Sequence, residues 1–158
     1  MYARRSARVL LVDGQDRLLL LRNRFAHGEA WLTPGGGVKR WERLATAAAR
    51  ELGEEVGLTV DRRQLGAPVA FTTGYADLGF AQGQFRDDFF FHRVDRHDID
   101  TSRMEDLERG FLTGHRWWLL PDLRSTTETI YPYALPPLLT NLLAGRIPPT
   151  PVQLPWHH

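Results

Sequence analysis

The chain has 158 residues, which suffices for one domain with a sizeable core, and its apolar (42%) and charged (25%) fractions are ordinary for a soluble globular protein. The formal net charge of +1 argues against both a polyanion-binding surface and an acidic tail. The chain contains no cysteine, which excludes disulfide bonds, thiol catalysis and cysteine-ligated metal centres.

No stretch of the sequence has the length and apolarity of a membrane span, which takes about 20 apolar residues. The first residues, 1–8, are basic, but the apolar run after them, residues 9–12, is too short for the core of a signal peptide. Together with the lack of cysteine, these features lead us to expect a cytoplasmic protein with no membrane partner.

The first elements are two apolar runs, residues 8–12 and 17–22, separated by a turn of sequence DGQD. This pattern is typical of a β-hairpin, and the nearly continuous apolarity indicates strands that are covered on both faces. A loop is expected over residues 23–30, followed by a short strand over residues 31–33 that ends at Pro34.

A helix is predicted from Trp41 or Glu42 to Val56, with Gly57 as its C-terminal stop. Two further strands are expected at residues 69–73 and 84–94. The second places Phe85, Asp87, Phe89 and Phe91 on one face and Arg86, Asp88, Phe90 and His92 on the other. The remaining pattern predicts a strand over residues 115–120, a turn at residues 121–123 and a short helix over residues 135–144.

These elements predict an α/β fold in which a mixed sheet lies between the first helix and the C-terminal helix. We see neither an internal repeat nor an interdomain linker, so we assign residues 1–145 to a single domain. Residues 146–158 are rich in proline and are expected to form a C-terminal tail.

Three acids of the predicted helix, Glu51, Glu54 and Glu55, fall within an arc of about 100° at 100° per residue. Carboxylates this close repel one another unless a cation joins them, and hard oxygen ligands suit Mg²⁺ or Mn²⁺. Arg50 lies four residues before Glu54 and can pair with it. On its own, the run over residues 50–55 is also typical of a solvated helix face with ion pairs between residues four apart.

The complete spacing favours the metal site over the solvated face. It runs Gly36, five residues, Glu42, seven residues, Arg50, Glu51, Leu52, one residue, Glu54, Glu55, one residue, Gly57, Leu58. This pattern resembles the Nudix box, the signature of the Nudix hydrolases, and every fixed position of the box is filled. Gly53 stands at a free position of the box and weakens the helix by about 1 kcal/mol relative to alanine.

The resemblance implies an α/β/α sandwich with a central mixed sheet. It also implies a hydrolase, dependent on Mg²⁺ or Mn²⁺, that cleaves a pyrophosphate bond in a nucleoside diphosphate linked to another moiety. The substrate would be a small nucleotide such as a nucleotide sugar, ADP-ribose, a dinucleoside polyphosphate or a nucleoside triphosphate. Two alternatives stay open: a nucleotide-sensing module without turnover, and a pyrophosphohydrolase of RNA 5′ ends.

Basic residues are interspersed with acids, apart from Arg4, Arg5 and Arg8, which argues against a nucleic-acid partner. The sequence leaves the oligomeric state open, including a homodimer.

The resemblance also assigns roles to residues of the box. Glu51, Glu54 and Glu55 are expected to bind the metal, and Arg50 to orient Glu54. Glu42 supports the start of the helix or a metal-bound water. The glycines before the helix, Gly35, Gly36 and Gly37, are expected to shape the loop beside the metal and to contact the substrate.

In relatives the general base is a box glutamate or an acid from a loop outside the box. The outside candidates here are Glu105, Asp106 and Glu108. We favour Glu108 because it lies nearest the strand that carries Trp117 and Trp118, and Glu54 is the candidate within the box.

Four further residues are candidates for substrate binding. Arg22 and Arg24, near the end of the second strand, could bind a terminal phosphate, although solvated side chains are an equal alternative. Trp31 and Phe25 border the glycines, and either could stack on a nucleobase or another flat group. For Trp31, core packing is the stronger alternative.

Overall fold

A mixed, curled sheet of nine strands forms the centre of the protein in the computed structural model, which describes residues 1–105 and 109–157. The strands are β1 (Arg4–Val12), β2 (Leu18–Phe25), β3 (Gly28–Leu32), β4 (Gly35–Gly37), β5 (Ala70–Asp77), β6 (Gln82–Arg93), β7 (Leu112–Trp118), β8 (Ile130–Tyr131) and β9 (Val152–Gln153). The main order is β8-β3-β2-β1-β6-β5-β9, while β4 pairs with β1 and β7 pairs with β2.

Strand β1 is the centre of this sheet, because it pairs in parallel with β6 along its whole length and in antiparallel fashion with β4. Its alternate side chains enter two separate cores: Leu10 and Val12 lie on one face, and Val9 and Leu11 on the other. The burial of both faces explains why the sequence of this strand is apolar almost without interruption.

Helices cover both faces of the sheet. Helix α1 (Leu44–Val56) packs on one face, while α2 (Leu120–Ser125) and α3 (Leu135–Leu143) pack on the other. A 3-10 turn (Arg62–Leu65) lies next to α1. The predicted α/β/α arrangement is therefore confirmed. No helix in the described part of the chain is long and apolar enough to cross a bilayer.

Three local predictions are wrong. The stretch predicted as a loop, residues 23–30, is mostly strand, because β2 continues to Phe25 and β3 begins at Gly28. Helix α1 begins only at Leu44, because Trp41 has a positive φ of 67° that no helix allows. The predicted turn at residues 121–123 lies in α2, where Pro121 occupies the first turn and needs no intrahelical hydrogen-bond donor.

The proline-rich end of the chain is packed against the domain. Strand β9 adds a parallel strand to β5, and Leu154 beyond it is buried in the core on the α3 side. The indole of Trp156 lies on Gly74 and donates a hydrogen bond of 3.0 Å from Nε1 to the carbonyl of Tyr75. Any side chain at position 74 would collide with this ring.

Replacing Leu154 by alanine should lower the free energy of unfolding by about 2–5 kcal/mol, because it leaves a cavity in a closed core. Val152, two residues earlier, is 40% exposed, so Val152→Ala is the matched control and should cost less than about 1 kcal/mol. Urea denaturation measures both values. Equal losses for the two variants would show that the end of the chain adds nothing to the core.

Candidate active site

The acids of helix α1 differ in exposure although they are neighbours in sequence. The apolar stripe of Ala48, Leu52 and Val56 faces the sheet, and Glu51 and Glu55 lie one helical turn apart at its edge. Both glutamates are buried, with exposed fractions of 4% and 8%. Because a carboxylate rarely lies in the interior without a partner, this placement marks the edge of α1 as a candidate active site.

Strand β4 brings the glycines against these carboxylates. The amide of Gly35 donates a hydrogen bond of 2.9 Å to Oε1 of Glu55. A Cβ atom on Gly36 would stand 2.6 Å from Oε1 of Glu51, so only glycine permits this approach. A Cβ atom on Gly35, where φ is 147°, would lie 2.6 Å from Cα of Arg8 in β1. The glycine strand is thus held between β1 and the two buried acids.

Arg50 organises the acids that surround the start of the site. Its guanidinium donates hydrogen bonds of 2.9 Å to each carboxylate oxygen of Glu42. It donates further to Oε1 of Glu51 (3.0 Å), Oε2 of Glu54 (3.3 Å) and the carbonyl of Gly37 (3.0 Å). The hydrogen bonds from the Arg50 side chain hold the pKa of Glu42 below its usual range.

Glu42 therefore anchors the Arg50 side chain, a role that its position before the helix does not suggest. It precedes α1 in a turn, and its carboxylate also accepts a hydrogen bond from the amide of Lys39. Because the turn folds back along the helix, the carboxylate reaches Arg50 eight residues later. The strongest partner of Arg50 is Glu42 and not Glu54, which was the predicted one.

The Glu51 and Glu55 carboxylates form an electrostatically unfavourable pair. Burial raises the pKa of Glu55 well above its ordinary value of 4.5, and the negative charge of Glu51 raises it further, against the opposing effect of Arg8. Oε2 of Glu51 is buried and has no hydrogen-bond partner. A cation between these oxygens would satisfy the free acceptor and relieve the repulsion, so the residues present fit a divalent metal.

Glu54 is turned away from this pair. Its carboxylate accepts the hydrogen bond from Arg50 and is partly exposed. Consequently, within residues 1–105 and 109–157, no three acidic or imidazole side chains converge closely enough to hold a metal ion together. A rotation of the Glu54 side chain away from Arg50 would be needed to complete the predicted set of three.

A cleft of about 230 Å³ opens beside the buried acids and includes both Gly35 and Glu55 in its wall. Its other side chains come from β1, β2 and the segment around Phe111, and include Arg4, Arg8, Asn23, Phe25, Met104 and Phe111. The cleft therefore combines two arginines and two phenyl rings with an end formed by a carboxylate. This composition suits a ligand with a flat group and an anionic group.

The predicted substrate-binding side chains lie outside the wall of this cleft. Trp31 is 6% exposed within the core on the α3 side, stacks edge-on against Trp118 and donates a hydrogen bond to Glu128. Arg22 lies over the ring of Trp31 and pairs with Glu29 at 3.3 Å. Arg24 is 71% exposed and lies 3.8 Å from the same glutamate. For Trp31, the alternative of core packing is the one observed.

The reason for this difference is the alternation of side chains along a strand. Leu21, Asn23 and Phe25 of β2 face the cleft, so Arg22 and Arg24 must face the other side of the sheet. Because residues 23–30 were predicted as a loop, no alternation of side chains was expected there. Had β2 been extended to Phe25, its period of two would have placed Asn23 and Phe25 together on one face.

Of the three outer candidates for the general base, the structure describes only Glu105. Asp106 and Glu108 lie outside the described residues, so the preference for Glu108 stays a prediction. Glu105 is exposed, and the residue before it, Met104, is buried and lines the cleft. Of the described residues here, Met104 therefore contacts the cleft and Glu105 follows it directly in the sequence.

The sequence matches the NUDIX domain family over residues 2–136. A curated RNA pyrophosphohydrolase from Teredinibacter turnerae (strain ATCC 39867 / T7901) is 39% identical over 67 residues. This match covers 42% of the chain and 37% of the relative, so it spans little more than a third of the relative's length.

Solved structures show the same fold at low sequence identity. A MutT protein from Methanosarcina mazei Go1 superposes with a TM-score of 0.65 at 19% identity and covers 90% of this chain and 94% of its own. A C. elegans Ap4A hydrolase gives 0.63 at 21% identity, with 90% and 98% covered. The E. coli dihydroneopterin triphosphate pyrophosphohydrolase gives 0.65 at 16% identity, with 89% and 95% covered.

The raised pKa of Glu55 predicts a pH-dependent stability in the metal-free protein. Above about pH 4.5 the unfolded chain loses the proton that folded Glu55 retains, so the free energy of unfolding should fall as the pH rises through the folded pKa. Glu55→Gln removes this titration and should flatten the curve. Urea denaturation in chelator between pH 4.5 and 8 measures it.

Asp98→Asn removes an acid that is 89% exposed and serves as the control, which should follow the wild-type curve. If Glu55→Gln lost stability with pH as steeply as the wild type, the buried acid would not be the source.

Proposed function

We propose that this chain, which belongs to the Nudix family, is a pyrophosphohydrolase that depends on Mg²⁺ or Mn²⁺ and acts on a small nucleotide. The substrate would be a nucleoside diphosphate linked to another moiety, or a nucleoside triphosphate. The observation that carries the proposal is the buried pair Glu51 and Glu55 at the end of the cleft. Two buried acids, one with an unsatisfied oxygen, have no evident structural purpose without a cation.

Glu51 and Glu55 would hold the metal, joined by Glu54 once its side chain leaves Arg50. When bound, a divalent ion supplies charge neutralisation and polarisation of the phosphoryl group. Arg50 would keep the carboxylates in place, because it is anchored by Glu42 and by the carbonyl of Gly37. Its role is positioning, so its loss should displace several acids at once.

The cleft residues would bind the nucleotide. The phenyl rings of Phe25 and Phe111 offer faces for stacking on a base, and Arg4 and Arg8 are placed to contact phosphate oxygens. Gly35 would set the distance between the substrate and the carboxylates, because its amide already binds Glu55.

The attacking water needs a group that accepts its proton. We propose Glu108 for this role, with Glu105, Asp106 and Glu54 as the competing acids. A base from the outer acids is supported by Met104, which precedes them in the sequence, is buried and lines the cleft. Glu54 is supported by its partial exposure beside Glu51 and Glu55.

An RNA 5′ end is a second candidate substrate, favoured by the partial match to an RNA pyrophosphohydrolase. RNA carrying a 5′-triphosphate therefore belongs in the substrate panel beside nucleotide sugars, ADP-ribose, dinucleoside polyphosphates and nucleoside triphosphates. A nucleotide-sensing module would differ from both enzymes, because it would bind a ligand of the panel with no product formed.

Hydrolysis of at least one panel substrate should require Mg²⁺ or Mn²⁺, stop in excess chelator and return when metal is restored. The physical reason is that two buried carboxylates and the substrate phosphates would otherwise repel each other. Product identification by chromatography measures the reaction. Full activity after exhaustive chelation would remove the central claim.

Substitution of single acids should separate metal ligands from the base. Glu51→Gln and Glu55→Gln should weaken metal binding, so part of the lost rate should return at high metal concentration. Replacement of the base should instead lower kcat by about 10² to 10⁴ at saturating metal. Glu105→Gln, Asp106→Asn, Glu108→Gln and Glu54→Gln are compared by this criterion. If the three outer variants keep wild-type turnover, the base lies within the box.

A further inference from the structure

A second concavity lies on the outer side of helix α1, separate from the nucleotide cleft. It is an open groove of about 530 Å³ between α1 and the segment that follows it, and Arg103 borders it from the loop after β6. Its walls include Arg50 and Glu54 of the box, and Gly53 between them. We call this space the outer groove; the function described so far makes no use of it.

The acids of α1 stand between the two concavities. Glu55 lines the cleft and Glu54, its neighbour in sequence, lines the outer groove. A substrate cleaved at these carboxylates has two halves, and the cleft of about 230 Å³ accommodates only one of them. The outer groove begins where the other half would leave the site.

The outer groove carries excess positive charge. Its lining has three arginines against two acids, Glu54 and Asp61. Asp61 is paired with Arg63, whose amide and guanidinium donate three hydrogen bonds to it and lower its pKa to about 2. Among the described residues, the side chains of Arg62 and Arg103 form no hydrogen bond or close ion pair; Asp61 attracts Arg62, and Asp100 attracts Arg103, only at longer range. Two free guanidinium groups are therefore available to an anion.

The surface between these arginines is flat and apolar. Gly53 presents no side chain, and the guanidinium of Arg103 lies 3.8 Å from where its Cβ would be. Leu58 and Val60 form the apolar side of the groove and are half-buried. Gly53 stands at a position of the helix where alanine would be more stable by about 1 kcal/mol. Its small size keeps the groove open beside Glu54.

We infer that the outer groove binds the leaving half of the substrate, and that Arg62 and Arg103 select a leaving half that carries a further phosphate. The inference rests on the proposed function and names its substrate class. Nucleoside triphosphates and dinucleoside polyphosphates, which have phosphate beyond the scissile bond, are preferred to nucleotide sugars. Arg103 acts as a specificity determinant and takes no part in proton transfer.

The test compares three substrates that share adenosine: diadenosine tetraphosphate, ATP and ADP-glucose. Arg103→Gln and Arg62→Gln should each lower the ratio of kcat/KM for the polyphosphate substrates over ADP-glucose by about 10-fold to 100-fold, mainly through KM, because a charged hydrogen bond is lost. Arg146→Gln makes the same charge change after α3, on the other face of the sheet, and should leave the ratio unchanged.

A steric series at position 53 tests the groove without a change of charge. Gly53→Gln should lower the same ratio by at least 10-fold because its side chain fills the groove. Gly53→Ala should have a smaller effect, since its Cβ would meet Arg103 only at ordinary contact distance. Circular dichroism melting curves verify folding. A ratio that is unchanged in Arg103→Gln and Gly53→Gln overturns the inference.

Binding of inorganic tripolyphosphate in chelator gives a readout independent of turnover. Calorimetry should show about 10-fold weaker binding to Arg103→Gln than to the wild type and to Arg146→Gln. Equal binding to all three proteins overturns the inference. A wild type that hydrolyses no substrate overturns the proposed function instead, and the tripolyphosphate measurement still decides whether the groove binds phosphate. Selective loss for diadenosine tetraphosphate but not ATP would assign the groove to the second nucleoside and overturn the phosphate role.

Discussion

The buried pair of carboxylates, Glu51 and Glu55, is the constraint on which the rest of the site depends. Two acids one turn apart on α1 are pressed against a strand of glycine, where water does not screen them. Their repulsion costs folding free energy in the metal-free protein and becomes useful only when a cation lies between them. The glycines at positions 35 and 36, the parallel pairing of β1 with β6 and the apolar stripe of α1 all serve to hold this pair in place.

Arg50 and Glu42 form the counterpart of that pair. The positive charge of the guanidinium is shared between the carboxylates of Glu42 and Glu51. Because two of its hydrogen bonds go to Glu42, it does not neutralise Glu51 completely. Oε2 of Glu51 is thereby left available. The same arginine holds Glu54 away from the buried pair, so the number of acids facing a metal depends on how easily that one contact is released.

In the function we propose, the two concavities bind different halves of the substrate. The cleft would present aromatic rings and arginines to one half, and the outer groove would present arginines and an apolar surface to the other. Because the carboxylates lie between the two concavities, the pyrophosphate bond would be cleaved there, whereas the selection of substrate would depend on the residues that line the cleft and the outer groove. This explains why a complete box identifies the reaction without naming the molecule that is cleaved.

The sequence alone determined the residues of the box and most of the strands and helices. Glu51, Glu54 and Glu55 share one helix, so their proximity follows from local geometry and requires no knowledge of the fold. The apolar run of β1 also predicted a strand, because both faces of the sheet are buried. These features depend on the spacing of residues within one element.

Tertiary structure decided which side chains face the substrate. Arg22 and Arg24 lie on one face of β2, and Asn23 and Phe25 lie on the other, which forms the wall of the cleft. A shift of one residue in the register of β2 would exchange the two faces, and the pairing of β3 and β7 with β2 fixes that register. The burial of Trp31 and the pairing of β9 with β5 also depend on segments that are distant in the sequence. The contact of Glu42 with Arg50 spans only eight residues, but it depends on a turn that periodicity does not describe. The periodicity of a sequence shows which side chains share a face of a strand or helix. Which of the two faces is buried depends on the free energy of burial in the complete fold.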